Sequence, residues 1–278
     1  IVKVLVTGTG SLLLGGIASE LLRRGDEVVC LQRRPAAFIG HQNAREVLAD
    51  VCDEEAVALA AEGCDAIIHG AARVGVVGSE KEFFDTNVRG TENIIRAAEQ
   101  HNLSRLVFVS TPSVAHTGDS LIGAPTGEAE IGRSRSHYAE SKAIAERTVL
   151  NARSNQLAVI AIRPHLVWGP GDTQLIGRIV DRARAGRLAL PDGGRALVDT
   201  TYVDDAATAI IAALDHCNAG DDATLEPLVV TGGEPRPLRD LVASILEAAG
   251  VTRLPRSIPA PIAARIGSAI DRIWPGSE

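Results

Sequence analysis

A chain of 278 residues, 45% apolar and 23% charged, can bury a full core without disulfides or metals, and its length suits one dinucleotide-sized domain with a smaller lobe. The net charge of −7, with basic residues scattered apart from short clusters at Arg33-Arg34 and Arg182/Arg184/Arg187, argues against nucleic acid as a partner. Cys30, Cys52, Cys64 and Cys217 follow no metal-ligand or disulfide spacing, no apolar run reaches the roughly 18 to 20 residues of a membrane span, and the chain opens directly into a strand, so a cytoplasmic protein without a metal is expected.

In chain order, an apolar run over residues 1–6 ends in Thr7-Gly8. A helical pattern through Ile17, Leu21 and Leu22 follows, stops at Gly25, and gives way to a second apolar run over 28–31. Further short runs at 66–68, 106–109, 159–162 and 228–230 alternate with helix-like stretches at 81–100, 137–153 and 203–214. That alternation predicts an α/β fold, a Rossmann-type doubly wound parallel sheet covered on both faces. From about residue 171 the pattern loosens into a helix over 175–185, a Pro/Gly turn over 191–194 and Pro-punctuated helices. The expected division is a dinucleotide-binding domain over 1–170, its sheet completed by about 195–232, with a smaller C-terminal substrate lobe from 171–194 and 233–278. The end at Trp274-Pro275-Gly276 carries no stop signal, so further residues are expected beyond it.

The turn after the first strand reads Thr7-Gly8-Thr9-Gly10-Ser11-Leu12-Leu13-Leu14-Gly15-Gly16. Glycines between a strand and a helix let the backbone approach a pyrophosphate lying on the helix N-terminus. Counted from Gly8, the second and third positions of Gly-x-x-Gly-x-x-Gly are Ser11 and Leu14. Ser11 is small enough; Leu14 either pushes the helix off the strand or points away, with Gly15 or Gly16 supplying the close contact. The second strand ends in Gln32-Arg33-Arg34 in place of an acid for a ribose 2′-hydroxyl, and an arginine fork suits a 2′-phosphate, so NADP is expected ahead of NAD.

The strand over 105–109 runs into Ser110-Thr111-Pro112-Ser113, at the carboxyl edge where open α/β sheets bind ligands. Tyr138 and Lys142, four residues apart, share one helix face. An ammonium beside a phenol draws its pKa toward neutrality, which makes tyrosine a usable acid or base. Thr111, or failing that Ser113, then holds the substrate oxygen. His69 reads as packed and hydrogen-bonded rather than catalytic, Asn87 as a backbone anchor, and Asp204-Asp205 as a helix start.

Together, the glycine turn, His69-Gly70-Ala71-Ala72, Asn87-Val88-Arg89-Gly90-Thr91, residues 110–113, Tyr138-x-x-x-Lys142 and Arg163-Pro164 resemble the extended short-chain dehydrogenase/reductase family (the NAD-dependent epimerase/dehydratase superfamily) over nearly the whole chain. Residues 163–172 and 199–205 are most similar to its 3β-hydroxysteroid dehydrogenase-like branch, which includes bacterial reductases of 2-alkyl-3-keto acids. The resemblance implies Thr111, Tyr138 and Lys142 as catalytic residues. It implies cofactor contacts at Gly8, Gly10, Ser11, Leu12, Leu13, Gln32, Arg33, Arg34, Asp50, Val51, His69, Ala71, Ala72, Pro164, His165 and Leu166. Ser113 and Trp168 are substrate candidates, and the helices over 81–100 and 137–153 would carry a homodimer. The expected activity is NADP(H)-dependent interconversion of a keto group and a secondary alcohol on a small hydrophobic substrate, steroid-like or 2-alkyl-3-keto acid-like. The alternatives are a nucleotide-sugar epimerase or dehydratase with tightly bound NAD, and a non-catalytic dinucleotide-binding regulator. Specificity is expected in residues 118–136 and the C-terminal lobe.

Overall fold

The computed structural model describes residues 1–35, 40–75, 78–116, 122–134, 136–218, 226–259 and 261–262; parts of the expected specificity segments, at 118–121, 135, 260 and 263–278, lie outside them. The elements run β1 (Lys3–Thr7), α1 (Leu12–Arg23), β2 (Glu27–Gln32), β3 (Ala44–Leu48), α2 (Glu54–Ala61), β4 (Ala66–His69) and α3 (Glu80–Phe84). A π-helical turn (Asp85–Arg89) leads into α4 (Gly90–Gln100), followed by β5 (Arg105–Val109), α5 (His137–Asn151) and β6 (Ala158–Pro164). Then come β7 (Val167–Trp168), α6 (Ile176–Arg184), β8 (Ala189–Pro191), β9 (Leu197–Val198), β10 (Thr201–Tyr202), α7 (Val203–His216), β11 (Leu228–Val230), β12 (Arg236–Pro237), α8 (Leu238–Ala248) and β13 (Arg256–Ile258).

Seven parallel strands form one sheet in the order β11-β6-β5-β4-β1-β2-β3. Strand alternation divides its core in two. Val4, Val6, Ile68, Val107 and Ile160 pack under Ile17 and Leu21 of α1 and Ile210 and Leu214 of α7. Leu5, Val29, Ile67, Leu106, Phe108 and Val159 pack on the opposite face with Val57 of α2, Ile94 of α4 and Val149 of α5. From β1 the chain builds outward first through β2 and β3, then in the other direction through β4, β5 and β6. The reversal lies between β1 and β4, the kind of switch point at whose carboxyl edge open α/β sheets bind ligands.

Two compact units result: Ile1–Pro164 with Val203–Val230, and His165–Tyr202 with Thr231–Glu278. The first unit's first segment ends at Pro164, and residues 195–202 lie in the second unit. The reason is local pairing: β7 pairs with β10, β12 with β9 and β13 with β8, all inside the second unit. That unit has its own apolar cluster of Ala183, Leu190, Val242 and Leu246.

Candidate active site

At the turn after β1, Gly8 adopts φ +83, and a Cβ there would lie 2.9 Å from Ala71 Cα. Glycine is therefore required twice, for the left-handed backbone and for the close approach of the Gly70-Ala71 segment. Ser11 caps α1, its hydroxyl accepting from Leu14 N–H at 3.3 Å. Leu14 neither displaces the helix nor points away. It is buried in the core, and a Cβ on Gly70 would fall 2.6 Å from its side chain. The close contact that the glycine pattern assigns to α1, and that Gly15 or Gly16 was expected to supply, is thus made by Gly70 at the end of β4.

At the end of β2, buried Gln32 accepts from the Thr9 hydroxyl through Oε1 and donates through Nε2 to Glu46 of β3. An acid does approach this corner, but from a neighbouring strand. Sequence reasoning missed Glu46 because Ala44–Leu48 is an edge strand without clean apolar alternation. Arg33 and Arg34 are exposed, with Arg33 Nη1 3.9 Å from the Asp50 carboxylate. Asp50 also accepts from Cys52 N–H at 3.0 Å. Gly90 makes room for Val51, since a Cβ on Gly90 would sit 2.6 Å from Val51 Cγ2, and Asn93 Nδ2 donates to Val51 O at 2.8 Å.

At the end of β5, Thr111 caps a short 3-10 turn (Pro112–Ala115), its hydroxyl donates to Ser113 Oγ at 3.2 Å, and it lies near enough to the Tyr138 phenol to influence its acidity. Ser136 caps α5 and presents Tyr138 in its first turn. Burial pushes the Tyr138 phenol up, while the Thr111 hydrogen bond pulls it down. Lys142 is buried, donates to Val109 O at 2.7 Å and lies 3.9 Å from the centre of the Phe108 ring. Its pKa is pushed down to about 7 by desolvation, opposed by the Glu146 carboxylate one turn along. Burial dominates at the phenol, and the Lys142 ammonium is held by Val109 O and the Phe108 ring. Glu146 itself forms a fully buried fork with Arg163 at 2.5 and 2.9 Å, and Arg163 also donates to Thr126 O at 2.7 Å. The lysine-plus-four position could have flagged Glu146; a buried arginine partner on β6 could not be read from the sequence.

His69 is fully buried, its ring nitrogens paired with Thr7 and Thr91, whereas Ala71 and Ala72 reach the surface. In the second unit, His165 Nδ1–H donates to Asp199 O at 2.7 Å and Thr201 Oγ1 donates to His165 O at 2.6 Å. Leu166 takes φ +41, a strained conformation for a branched side chain, and remains partly exposed. Trp168 donates to Thr200 at 3.2 Å and meets Tyr202 edge-on at 5.2 Å. Among the described residues no His/Cys/Asp/Glu group is arranged to hold a metal, and no helix is long and apolar enough to cross a membrane.

Residues 4–225 match the model of the NAD dependent epimerase/dehydratase family. The chain is 39% identical over 275 residues, 98% of its own length and 83% of the other, to a 2-alkyl-3-oxoalkanoate reductase of Stenotrophomonas maltophilia. It is 28% identical over 257 residues to a 3-beta-hydroxysteroid dehydrogenase of Mycolicibacterium neoaurum, covering 89% and 70% of the two chains. Among solved structures it is similar to MoeE5 in complex with UDP-glucose and NAD, with a TM-score of 0.78, 26% identity and coverage of 93% and 85%.

Proposed function

The chain belongs to the NAD dependent epimerase/dehydratase family as an NAD(P)-dependent dehydrogenase/reductase, and from that premise we propose that it reduces a keto group on a hydrophobic, 2-alkyl-3-keto acid-like or steroid-like substrate with NADPH. The observation that carries this reading is that Thr111 stands at the end of β5, where Lys142, one helical turn after Tyr138 on α5, is buried and donates to Val109 O of the same strand. A dinucleotide fits the residues present: the exposed Gly10 lies at the start of α1, and the Ser11 side chain caps the Leu14 amide, leaving first-turn amides of α1 for a phosphate. Gly10, Ser11, Leu12 and Leu13 would hold its phosphates, Asp50 and Val51 its adenine, and Ala71 and Ala72 its ribose and phosphates. Pro164, His165 and Leu166 would border its carboxamide. Arg33 and Arg34 would grip a 2′-phosphate beside the Gln32 amide.

The bound dinucleotide supplies the hydride. Thr111 orients the substrate oxygen by donating a hydrogen bond. Tyr138 passes its phenolic proton to that oxygen as it gains negative charge, and the Lys142 ammonium stabilises the phenolate left behind. Ser113 and Trp168 are proposed as substrate contacts, and a homodimer through residues 81–100 and 137–153 and a cytoplasmic location are proposed as well. With saturating NADPH and a panel of 2-alkyl-3-keto acids, Tyr138→Phe should lower turnover by about 10²- to 10⁴-fold while leaving NADPH affinity unchanged. Equal turnover in both proteins would remove this mechanism.

A further inference from the structure

At the switch point of the sheet, the ends of β1 and β4 are joined by a hydrogen-bond chain whose direction is fully determined. Thr7 and His69 are register partners in the two strands. The Thr7 hydroxyl oxygen accepts from the N–H groups of Gly70 at 3.1 Å and Ala71 at 3.0 Å, which occupies both its lone pairs. Its proton must then go to His69 Nδ1, 2.7 Å away. On the far side of the ring, Thr91 Oγ1 lies 3.0 Å from Nε2 and 2.6 Å from the Asn87 carbonyl. A carbonyl only accepts, so the Thr91 proton points at Asn87 and the hydroxyl oxygen accepts from His69 Nε2–H. His69 is thereby fixed as the neutral Nε2–H tautomer: a proton on Nδ1 would face the Thr7 hydroxyl, which has no lone pair left to receive it.

Asn87 continues the chain. It sits in the π-helical turn, a local widening that often marks functional positions. Its Oδ1 accepts from Arg73 N–H at 2.7 Å, and its Nδ2 donates to Arg73 O at 3.1 Å and Ser141 Oγ at 2.9 Å. The Ser141 proton goes on to Tyr138 O at 2.9 Å. One directed network therefore runs from the segment packed on Gly8 to the backbone of the residue proposed as the proton donor. The charged side chain facing His69 is Lys142, which further disfavours a second charge there.

We propose that His69 is a positioning residue that, held as the neutral Nε2–H tautomer, locks the Gly70-Ala71 flank of the dinucleotide site to the helical turn that seats Tyr138. This rests on the reductase reading for its kinetic consequences but not for its tautomer. The two ends of the chain should separate in kinetics. Thr91→Val strips the ring of its acceptor and should raise the KM for NADPH about tenfold, with Thr91→Ser restoring it. Ser141→Ala, at the other end, should lower kcat severalfold with the KM for NADPH unchanged. The direct test is the imidazole nitrogen NMR spectrum of the full-length protein, with the His69 signals identified by their loss in His69→Asn. An unprotonated Nδ1 and a protonated Nε2 that hold from about pH 8 to pH 5, across the range where ordinary histidines titrate, are expected. A protonated Nδ1, titration within that range, or NADPH binding by Thr91→Val equal to wild type would overturn the proposal. Should no keto substrate be turned over, the spectrum and NADPH binding followed by fluorescence still decide it.

Discussion

The glycine turn at α1 and the helix α5 that carries Tyr138 and Lys142 are built by opposite means. At α1 the glycine pattern is broken, and the packing repairs it: Leu14 fills the space that a missing side chain leaves at Gly70. At α5 the Tyr138/Lys142 spacing is intact, and the surroundings work against it, since burial raises the phenol and lowers the ammonium. A motif that departs from its pattern can thus keep its shape through packing, while one that matches can sit in surroundings that shift its charge balance.

The largest effect is expected on the electrostatic side. Glu146→Gln leaves the Arg163 guanidinium buried without its counter-charge, and denaturant unfolding should show a loss of about 3–5 kcal/mol; a loss below about 1 kcal/mol would mean the pair is not the anchor described. On the steric side, Gly70→Ala should cost about 1–3 kcal/mol by overpacking against Leu14. The same change made in Leu14→Ala should cost far less, giving a coupling of about 0.5–3 kcal/mol in a double-mutant cycle. Additivity there would break the compensation account.

The Lys142 charge state has a pH signature. Its folded value of about 7 lies below the ordinary 10.5, so between these pH values the unfolded chain binds the extra proton and stability should rise with pH. Lys142→Met should flatten the unfolding midpoint across that window, and an unchanged slope would place the lysine outside the buried setting. The smallest effect is expected at the exposed cofactor corner, where Arg33→Ala should raise the KM for NADPH about tenfold and that for NADH little, in line with the loss of one charge-assisted hydrogen bond.

Much of this was legible in the sequence, for identifiable reasons. The strands β1, β2, β4, β5 and β6 are short apolar runs bounded by turn residues, and Tyr138, Lys142 and Thr111 declare themselves through helical spacing and a strand edge. Edge strand β3 and helix α2 were not legible, because Ala44–Leu48 lacks alternation and Glu54–Ala61 is a short, half-alanine helix. The stretch 81–100 reads as one helix, yet it contains a π-helical turn that no periodicity announces. The pairings that set chemistry at the site, Leu14 with Gly70, Lys142 with Phe108 and Glu146 with Arg163, join residues distant in sequence and depend on which strands become neighbours. Asn87, Gly90 and Thr91 look like a motif in sequence; only the fold shows that they reach Ser141, Val51 and His69 respectively.

The central claim is net hydride transfer from NADPH to a substrate carbonyl, and it is tested most directly by supplying NADPH deuterated at nicotinamide C4 with a 2-alkyl-3-keto acid and locating the label by mass spectrometry. One deuterium on the carbinol carbon of the product, formed in step with NADP⁺, is the result this account predicts. Label retained on the nicotinamide, or a product of unchanged oxidation state with the cofactor returned to its starting form, would contradict it.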